Sequence, residues 1–274
     1  MRMRYRTLAA DRRLAPCEAT IGKRLPYGQH VDEATIRTRD GLLIQIVKLD
    51  GFPFETMDDE ELGYRKTVRE TLLRGVAGSR MALYHHILRR HVAPLWPEPP
   101  AHCFCRRLDV IWRQRLESRR LFVNELFLTI VRRPLQGSAG LAERLLRSAV
   151  RRSADLDAEL RQLHALRETF VAALAPYGAR TLTTYEGEHG LCSEPASGVA
   201  ALLGGAPRPI LLPQGDIGEL IADRRLTFGL DAMEIGPGGG DEARYGAMVS
   251  LKDYPARSQP GMLAGILRLP FEMT

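Results

Sequence analysis

Residues 34–49 read Ala34-Thr35-Ile36-Arg37-Thr38-Arg39-Asp40-Gly41-Leu42-Leu43-Ile44-Gln45-Ile46-Val47-Lys48-Leu49, and this stretch decides the fold class. Two β-rich runs, Ala34–Arg39 and Leu42–Leu49, are separated by Asp40-Gly41, a dipeptide suited to a two-residue hairpin turn. The second run is apolar at successive positions rather than alternate ones. Successive side chains of a strand point to opposite faces, so Leu42–Val47 is expected inside a sheet and covered on both sides.

Downstream, Asp50-Gly51 ends the hairpin. Thr56 ahead of Asp58-Asp59-Glu60-Glu61 predicts a helix start, with a hydroxyl cap and an acidic first turn opposing the positive end of the helix dipole. The same four acids have a second reading as a metal site. Leu62, Val68, Leu72 and Val76 continue one helical face, which Gly75 and Gly78 close. Met81–Leu88 reads as a strand running into Arg89-Arg90. Pro94, Pro97, Pro99 and Pro100 mark a loop, followed by a helix with Leu108, Ile111, Trp112 and Leu116 on one side and arginines on the other. Leu121–Val131 is the clearest strand of the middle region, ended by Arg132-Arg133-Pro134 because proline cannot donate to a ladder. Within it, Asn124 and Glu125 are expected to be hydrogen-bonded at a sheet edge or turn.

From Leu141 to Leu174 apolar residues recur at helical spacing, predicting a long amphipathic helix or a broken pair, stopped at Pro176-Tyr177-Gly178. Arg180–Tyr185 is a short strand. Ser193-Glu194-Pro195 opens a brief helix with serine as cap and proline in the first turn, and Gly204-Gly205 ends it. Ile210–Leu212, Leu226–Ile235 and Tyr245–Leu251 read as further strands, with Gly236–Gly240 as a hairpin tip. Hairpins mixed with helices predict an α+β fold, a largely antiparallel mixed sheet packed by amphipathic helices including one long one. The expected divisions are a loose basic leader over 1–20, an α+β domain over 21–255 and a connector over 256–274. In the connector, Leu263, Ile266, Leu267, Leu269 and Phe271 form an apolar run, and Leu267–Met273 is expected to pair with this domain's own sheet.

The 274 residues are 45% hydrophobic and 26% charged, an ordinary globular balance. No stretch approaches the roughly 20 apolar residues that span a bilayer, and no apolar signal core follows the basic start before Asp11. The expected location is cytosolic, at most peripheral to a membrane. A net charge of +6 opens one alternative reading, a basic nucleic-acid-binding domain. Four cysteines, Cys17, Cys103, Cys105 and Cys192, are too sparse for a disulfide scaffold.

Catalytic chemistry is not legible. A P-loop needs a glycine, four residues and Gly-Lys-Ser/Thr, and Gly22-Lys23 is followed by Arg24 and preceded at the required position by Cys17. Gly236–Gly240 runs into Asp241-Glu242, whose charges repel phosphate. His102, Cys103 and Cys105 form a cramped candidate for a metal or thiol site, and His189 with Cys192 a candidate nucleophilic pair lacking a third group. No catalytic, cofactor-binding or metal residue is assigned.

Several segments resemble the VirB/TrbE/CagE family of type IV secretion ATPases, over roughly residues 20–274. They are Leu25-Pro26-Tyr27 with His30-Val31-Asp32, Asp50–Thr56, and the most specific, Asn124-Glu125-Leu126-Phe127-Leu128-Thr129-Ile130-Val131-Arg132-Arg133-Pro134. Arg225–Gly229, Ser250–Pro255, Pro260–Leu263 and Leu269-Pro270-Phe271-Glu272-Met273-Thr274 complete the series, which is similar to the VirB branch more than to the TrbE branch. The resemblance implies the amino-terminal domain of such an ATPase, ending before the Walker A motif. It would be non-catalytic, with ATP and magnesium bound only in the full-length protein. It also implies an assembly and docking role on the cytoplasmic side of the inner membrane. The implied partners are the other secretion subunits, especially the small membrane subunit, along with self-association.

Overall fold

The computed structural model describes residues 21–273 apart from 53–55, 77–79, 134–148, 205–206, 213–214, 223, 237–242, 251–252, 254–261 and 263–264. The expected leader over 1–20, Gly78, Pro134, the first turns of the long helix and the Gly-rich hairpin tip therefore lie outside the described residues.

The Asp40-Gly41 hairpin forms, with a three-residue loop, Arg39-Asp40-Gly41, in place of the two-residue turn. Strands β1 (Tyr27–His30), β2 (Ile36–Thr38) and β3 (Leu43–Leu49) pair antiparallel in order, and Gly41 takes φ 89°. Helix α1 (Asp59–Val76) leads to β4 (Met81–Val92), and α2 (Cys103–Glu117) to β5 (Leu121–Arg132). The long helix is α3 (Ala149–Ala173), followed by β6 (Arg180–Thr181), the β7 (Thr184–Gly187) and β8 (Gly190–Ser193) hairpin, α4 (Glu194–Gly204) and α5 (Ile217–Ile221). The last strands, β9 (Leu226–Phe228), β10 (Met233–Ile235) and β11 (Arg244–Gly246), form a separate small sheet. The main sheet runs β1-β2-β3-β5-β4, with β6 also on β3. Every described pairing is antiparallel, so α+β holds.

Strand β3 is the centre. Ile44 and Ile46 join Ile36, Leu88, Phe127, Val131 and the small residues Ala196, Val199, Ala200 and Ala201 of α4 on one face. Leu43 and Val47 join Leu128, Ile130, Val76 of α1 and Leu163 and Phe170 of α3 on the other. Each fully buried Leu, Ile, Val or Phe stabilises by roughly 1.5–3 kcal/mol. Both faces need a helical cover, which the alanine-rich α4 supplies on one side and α1 with α3 on the other.

Some expectations change at their boundaries. Helix α1 begins at Asp59, with the Asp58 carbonyl accepting from Leu62 N–H, so Thr56 precedes the cap position rather than filling it. Gly75 lies inside the helix. Arg180–Tyr185 divides between β6, which pairs with β3, and β7, which pairs with β8, while Leu226–Ile235 divides between β9 and β10 because the two form a hairpin. Ile210–Leu212 makes a single bridge, Leu211 to Cys192. Of Tyr245–Leu251, the described strand reaches only Gly246. The carboxy-terminal segment does return to the sheet, Met273 pairing with Arg89 of β4. Yet Ile266 and Phe271 stay exposed, so the contact is made by backbone and polar groups rather than by apolar burial.

One polar chain crosses the apolar interior. Gln45 of β3, fully buried, donates through Nε2 to Thr35 Oγ1 (2.7 Å), and Thr35 donates to Asp32 Oδ2 (2.9 Å). Asp32 Oδ1 accepts from the amides of Ala34 (2.9 Å) and Thr35 (2.7 Å), and Oδ2 meets His164 Nε2 of α3 at 2.9 Å. Asp32 thus shapes the β1–β2 turn and ties it to the long helix. Burial alone raises its carboxyl, but the bonds from Ala34, Thr35 and His164 outweigh this and hold it below the usual carboxylate range.

Two predictions follow from this framework. A depressed folded-state pKa contributes stability that is present above the unfolded carboxylate range and lost as pH falls through the folded value. Asp32→Ala should therefore lower stability at pH 7 by about 1–3 kcal/mol, the cost of stranding its donors. Thermal melts should show the gap to the parent shrinking as pH falls below about 4. The second concerns Gly178, which ends the turn after α3 at φ 66°. A Cβ there would stand 2.6 Å from Asp50 Oδ2. Gly178→Ala should cost at least roughly 1–2 kcal/mol in chemical denaturation; an unchanged midpoint would contradict it.

Candidate functional site

Three side-chain groupings have the composition of a site. The first is His30 with Ser193. His30 Nε2 lies 2.7 Å from Ser193 Oγ, and Nδ1 lies 3.1 Å from the Asp32 carbonyl. With Nδ1–H donating to that carbonyl, Nε2 accepts from the serine hydroxyl. Burial pushes the His30 imidazole down, partly countered by the bond and charge of Asp32. The pair has the look of a nucleophile and its base. However, Ser193 is fully buried and its Oγ accepts from Ala196 N–H at 3.0 Å as the cap of α4. A substrate cannot reach that oxygen, so the pair fastens β1 to α4.

The second grouping is the cysteines and histidines. Cys103 and Cys105 are exposed in the first turn of α2. Residues two apart on a helix point to different sides, so the geometry disperses His102, Cys103 and Cys105 instead of gathering them. Cys192 is buried, its thiol 3.5 Å from the Gly190 carbonyl, while His189 sits exposed in the β7–β8 turn. Among the described residues no three His, Cys, Asp or Glu side chains stand close enough to hold a metal, and the acids of Asp58–Glu61 are spread over the start of α1.

The third grouping is α2 itself. Strand β3 covers β5 only from Leu126 to Arg132. Beyond that, Leu121–Glu125 pairs with Leu88–Val92 of β4 alone, forming an arm that projects past the sheet. Glu125 marks the point of departure, accepting from Lys48 Nζ (3.0 Å) and Arg90 Nε (2.8 Å). Burial raises the Glu125 carboxyl, but these two cations hold it below its usual range. Next to it, Asn124 Oδ1 accepts from Arg89 at 3.0 Å, so both polar residues of the strand are bonded as expected.

Helix α2 bridges the end of this arm and buries none of its residues. Its polar side is tied to the proline loop: Arg113 bonds the Pro97 carbonyl (2.7 Å) and pairs with Asp109, while Arg106 reaches the carbonyls of Pro100 and Ala101. Its apolar stripe is left open. Phe104, Leu108, Ile111 and Trp112 are 68%, 57%, 56% and 57% exposed, and Leu95 of the adjoining loop is 99% exposed. The spacing of those leucine and tryptophan positions signals an amphipathic helix, but not that the arm carries it beyond any core. No described helix is long and apolar enough to cross a membrane.

Residues 34–139 match the family model for the type IV secretion system ATPase VirB4/TrbE, N-terminal domain. Residues 180–274 match that for the CagE, TrbE, VirB family, component of type IV transporter system. The type IV secretion system protein virB4 of Bartonella henselae is 30% identical over 253 residues, 90% of this chain and 32% of its own length. That of Bartonella quintana is 32% identical over 254 residues, with the same coverage of 90% and 32%. Protein virB4 of Agrobacterium fabrum is 29% identical over 252 residues, 91% of this chain and 31% of its own. The chain thus spans about a third of the length of the relatives it matches. With both models lying in order along one fold, the chain belongs to the VirB/TrbE/CagE family of type IV secretion proteins and represents its amino-terminal region.

Proposed function

We propose that this chain is the non-catalytic docking and assembly domain of a type IV secretion ATPase, with α2 as its contact face. The observation that carries the reading is the open stripe of Phe104, Leu108, Ile111 and Trp112 on a helix held away from the core. A contiguous exposed apolar patch on a soluble domain is the usual mark of a partner surface, and aromatic residues dominate the energetics of such contacts. The partners are the inner-membrane subunits of the secretion machine, the small membrane subunit foremost. The domain works at the cytoplasmic face of the inner membrane, peripheral to it, and self-associates as the machine assembles. ATP and magnesium belong to the remaining part of the longer protein.

The nucleic-acid reading draws less support. Many arginines are matched by acids: Arg39 with Asp216, Arg90 with Glu125, Arg132 with Glu159, Arg180 with Glu194 and Arg244 with Glu272. A phosphate-binding face needs its cations unpaired and contiguous.

The double variant Ile111→Ser, Trp112→Glu tests the docking face. Exposed substitutions change stability by about 0.5 kcal/mol or less, so its melting temperature should match the parent. Co-purification of the co-expressed inner-membrane subunits should fall at least about tenfold, equivalent to roughly 1.4 kcal/mol of binding. Undiminished co-purification by a folded variant would remove α2 from the interface.

A further inference from the structure

We infer that the outer edge of β4, from Ile87 back to Leu83, seats an added antiparallel strand supplied by the polypeptide that continues past Met273 in the longer members of this family. Family membership is the premise; the docking role of α2 is not.

Strand β4 is the last of the main sheet, and its inner side pairs with β5 in unbroken register over all twelve residues. In an antiparallel ladder alternate residues direct both backbone groups to the same neighbour. Arg89 faces outward: its N–H donates to the Met273 carbonyl (2.7 Å), and Met273 N–H donates back to the Arg89 carbonyl (3.0 Å). His91 N–H, also outward, donates to Glu272 Oε1 at 2.9 Å. Leu83, His85 and Ile87 belong to the same outward set. Among the described residues, no group meets their outward N–H and carbonyl.

Sheet edges are ordinarily blunted by shortness, bulges, proline or charge. The opposite edge follows that rule, since β1 has four residues and a register shift between Tyr27 and Gln29. The β4 edge does not. Met81-Ala82-Leu83-Tyr84-His85-His86-Ile87-Leu88 contains no proline, lysine, arginine, aspartate or glutamate, and no bulge interrupts it. Both imidazoles are held below their usual range, His85 by burial and Arg69, His86 by burial and His85. The edge is therefore uncharged at neutral pH as well as free of bulges, the state that accepts a strand.

The occupant follows from register. Met273 has already made the first rung, and the chain runs antiparallel to β4. The second residue after Met273 faces Ile87, the fourth His85 and the sixth Leu83. The approach is fastened on its other side as well. The Arg89 guanidinium lies 4.4 Å over the Phe122 ring and donates to the Leu269 carbonyl (3.0 Å), and Glu272 pairs with Arg244 of β11 (3.3 Å). A separate strand long enough to cover Leu83–Arg89 would have to displace Met273, whereas a covalent continuation need not. Such polypeptide exists in the relatives, of which this chain spans 32% in Bartonella henselae. The added strand would anchor the following region to the sheet through backbone bonds.

Amide hydrogen exchange tests this on two proteins. One is the 274-residue chain; the other is extended past Thr274 by the roughly six to eight residues that follow the matched segment in the Bartonella henselae relative. In the extended chain the amides of Leu83, His85 and Ile87 should exchange at least about tenfold more slowly, while those of Ala82, Tyr84 and His86, directed at β5, stay unchanged. An extension with proline at the positions facing Ile87 and His85 should lose this protection. Unchanged exchange in the extended chain would overturn the inference, as would protection that survives the prolines. Protection of the unextended chain that grows with protein concentration would also overturn it, assigning the edge to a second copy.

Discussion

The burial of β3 on both faces is the constraint from which the rest of the structure follows. A strand with Leu43 and Val47 on one side and Ile44 and Ile46 on the other cannot sit at an edge or face water. It draws β2 and β5 to its flanks and a helical layer to each face. The helices differ accordingly. Helix α4 packs small residues closely beneath the sheet, while α3 reaches across it with Leu163 and Phe170. Gln45 adds a second demand, because the Nε2 of an amide in this interior must find an acceptor. Its line through Thr35 and Asp32 to His164 sets the β1–β2 turn and the placement of α3 together.

Where β3 stops, the double cover stops. The arm of β4 and β5 continues past Leu126 without β3 beside it, so the helix at its end has no core to join. The same geometry leaves β4 with an outer edge that, among the described residues, is met by the carboxy-terminal segment at Arg89 and His91. Among the described residues, the apolar helix face sits at the end of that arm and the open strand edge, Leu83–Ile87, at its base.

Three of the segments that carry the family resemblance have a structural role. His30 and Asp32 bind α4 and α3 to the first hairpin, Glu125 neutralises two cations where the arm leaves the sheet, and Glu272 with Met273 closes onto β4. A Ser–His contact at 2.7 Å shows why composition alone misleads: Ser193 Oγ is buried and already occupied by the Ala196 amide.

Local signals were readable directly. The Asp40-Gly41 turn, the doubly apolar run of β3, the serine cap at Ser193 and the stop at Pro176-Tyr177-Gly178 each act within a few residues, so sequence alone determined those elements and the α+β class. Whether an apolar stripe is covered depends on what the chain brings opposite it. Leu163 and Phe170 of α3 and Ile111 and Trp112 of α2 have the same periodicity, yet the first pair is buried and the second exposed. Only the tertiary structure decided this, because burial depends on contacts between residues far apart in sequence. Strand order decided in the same way which edge stayed open: β5 entered between β3 and β4, and β4 was left outermost.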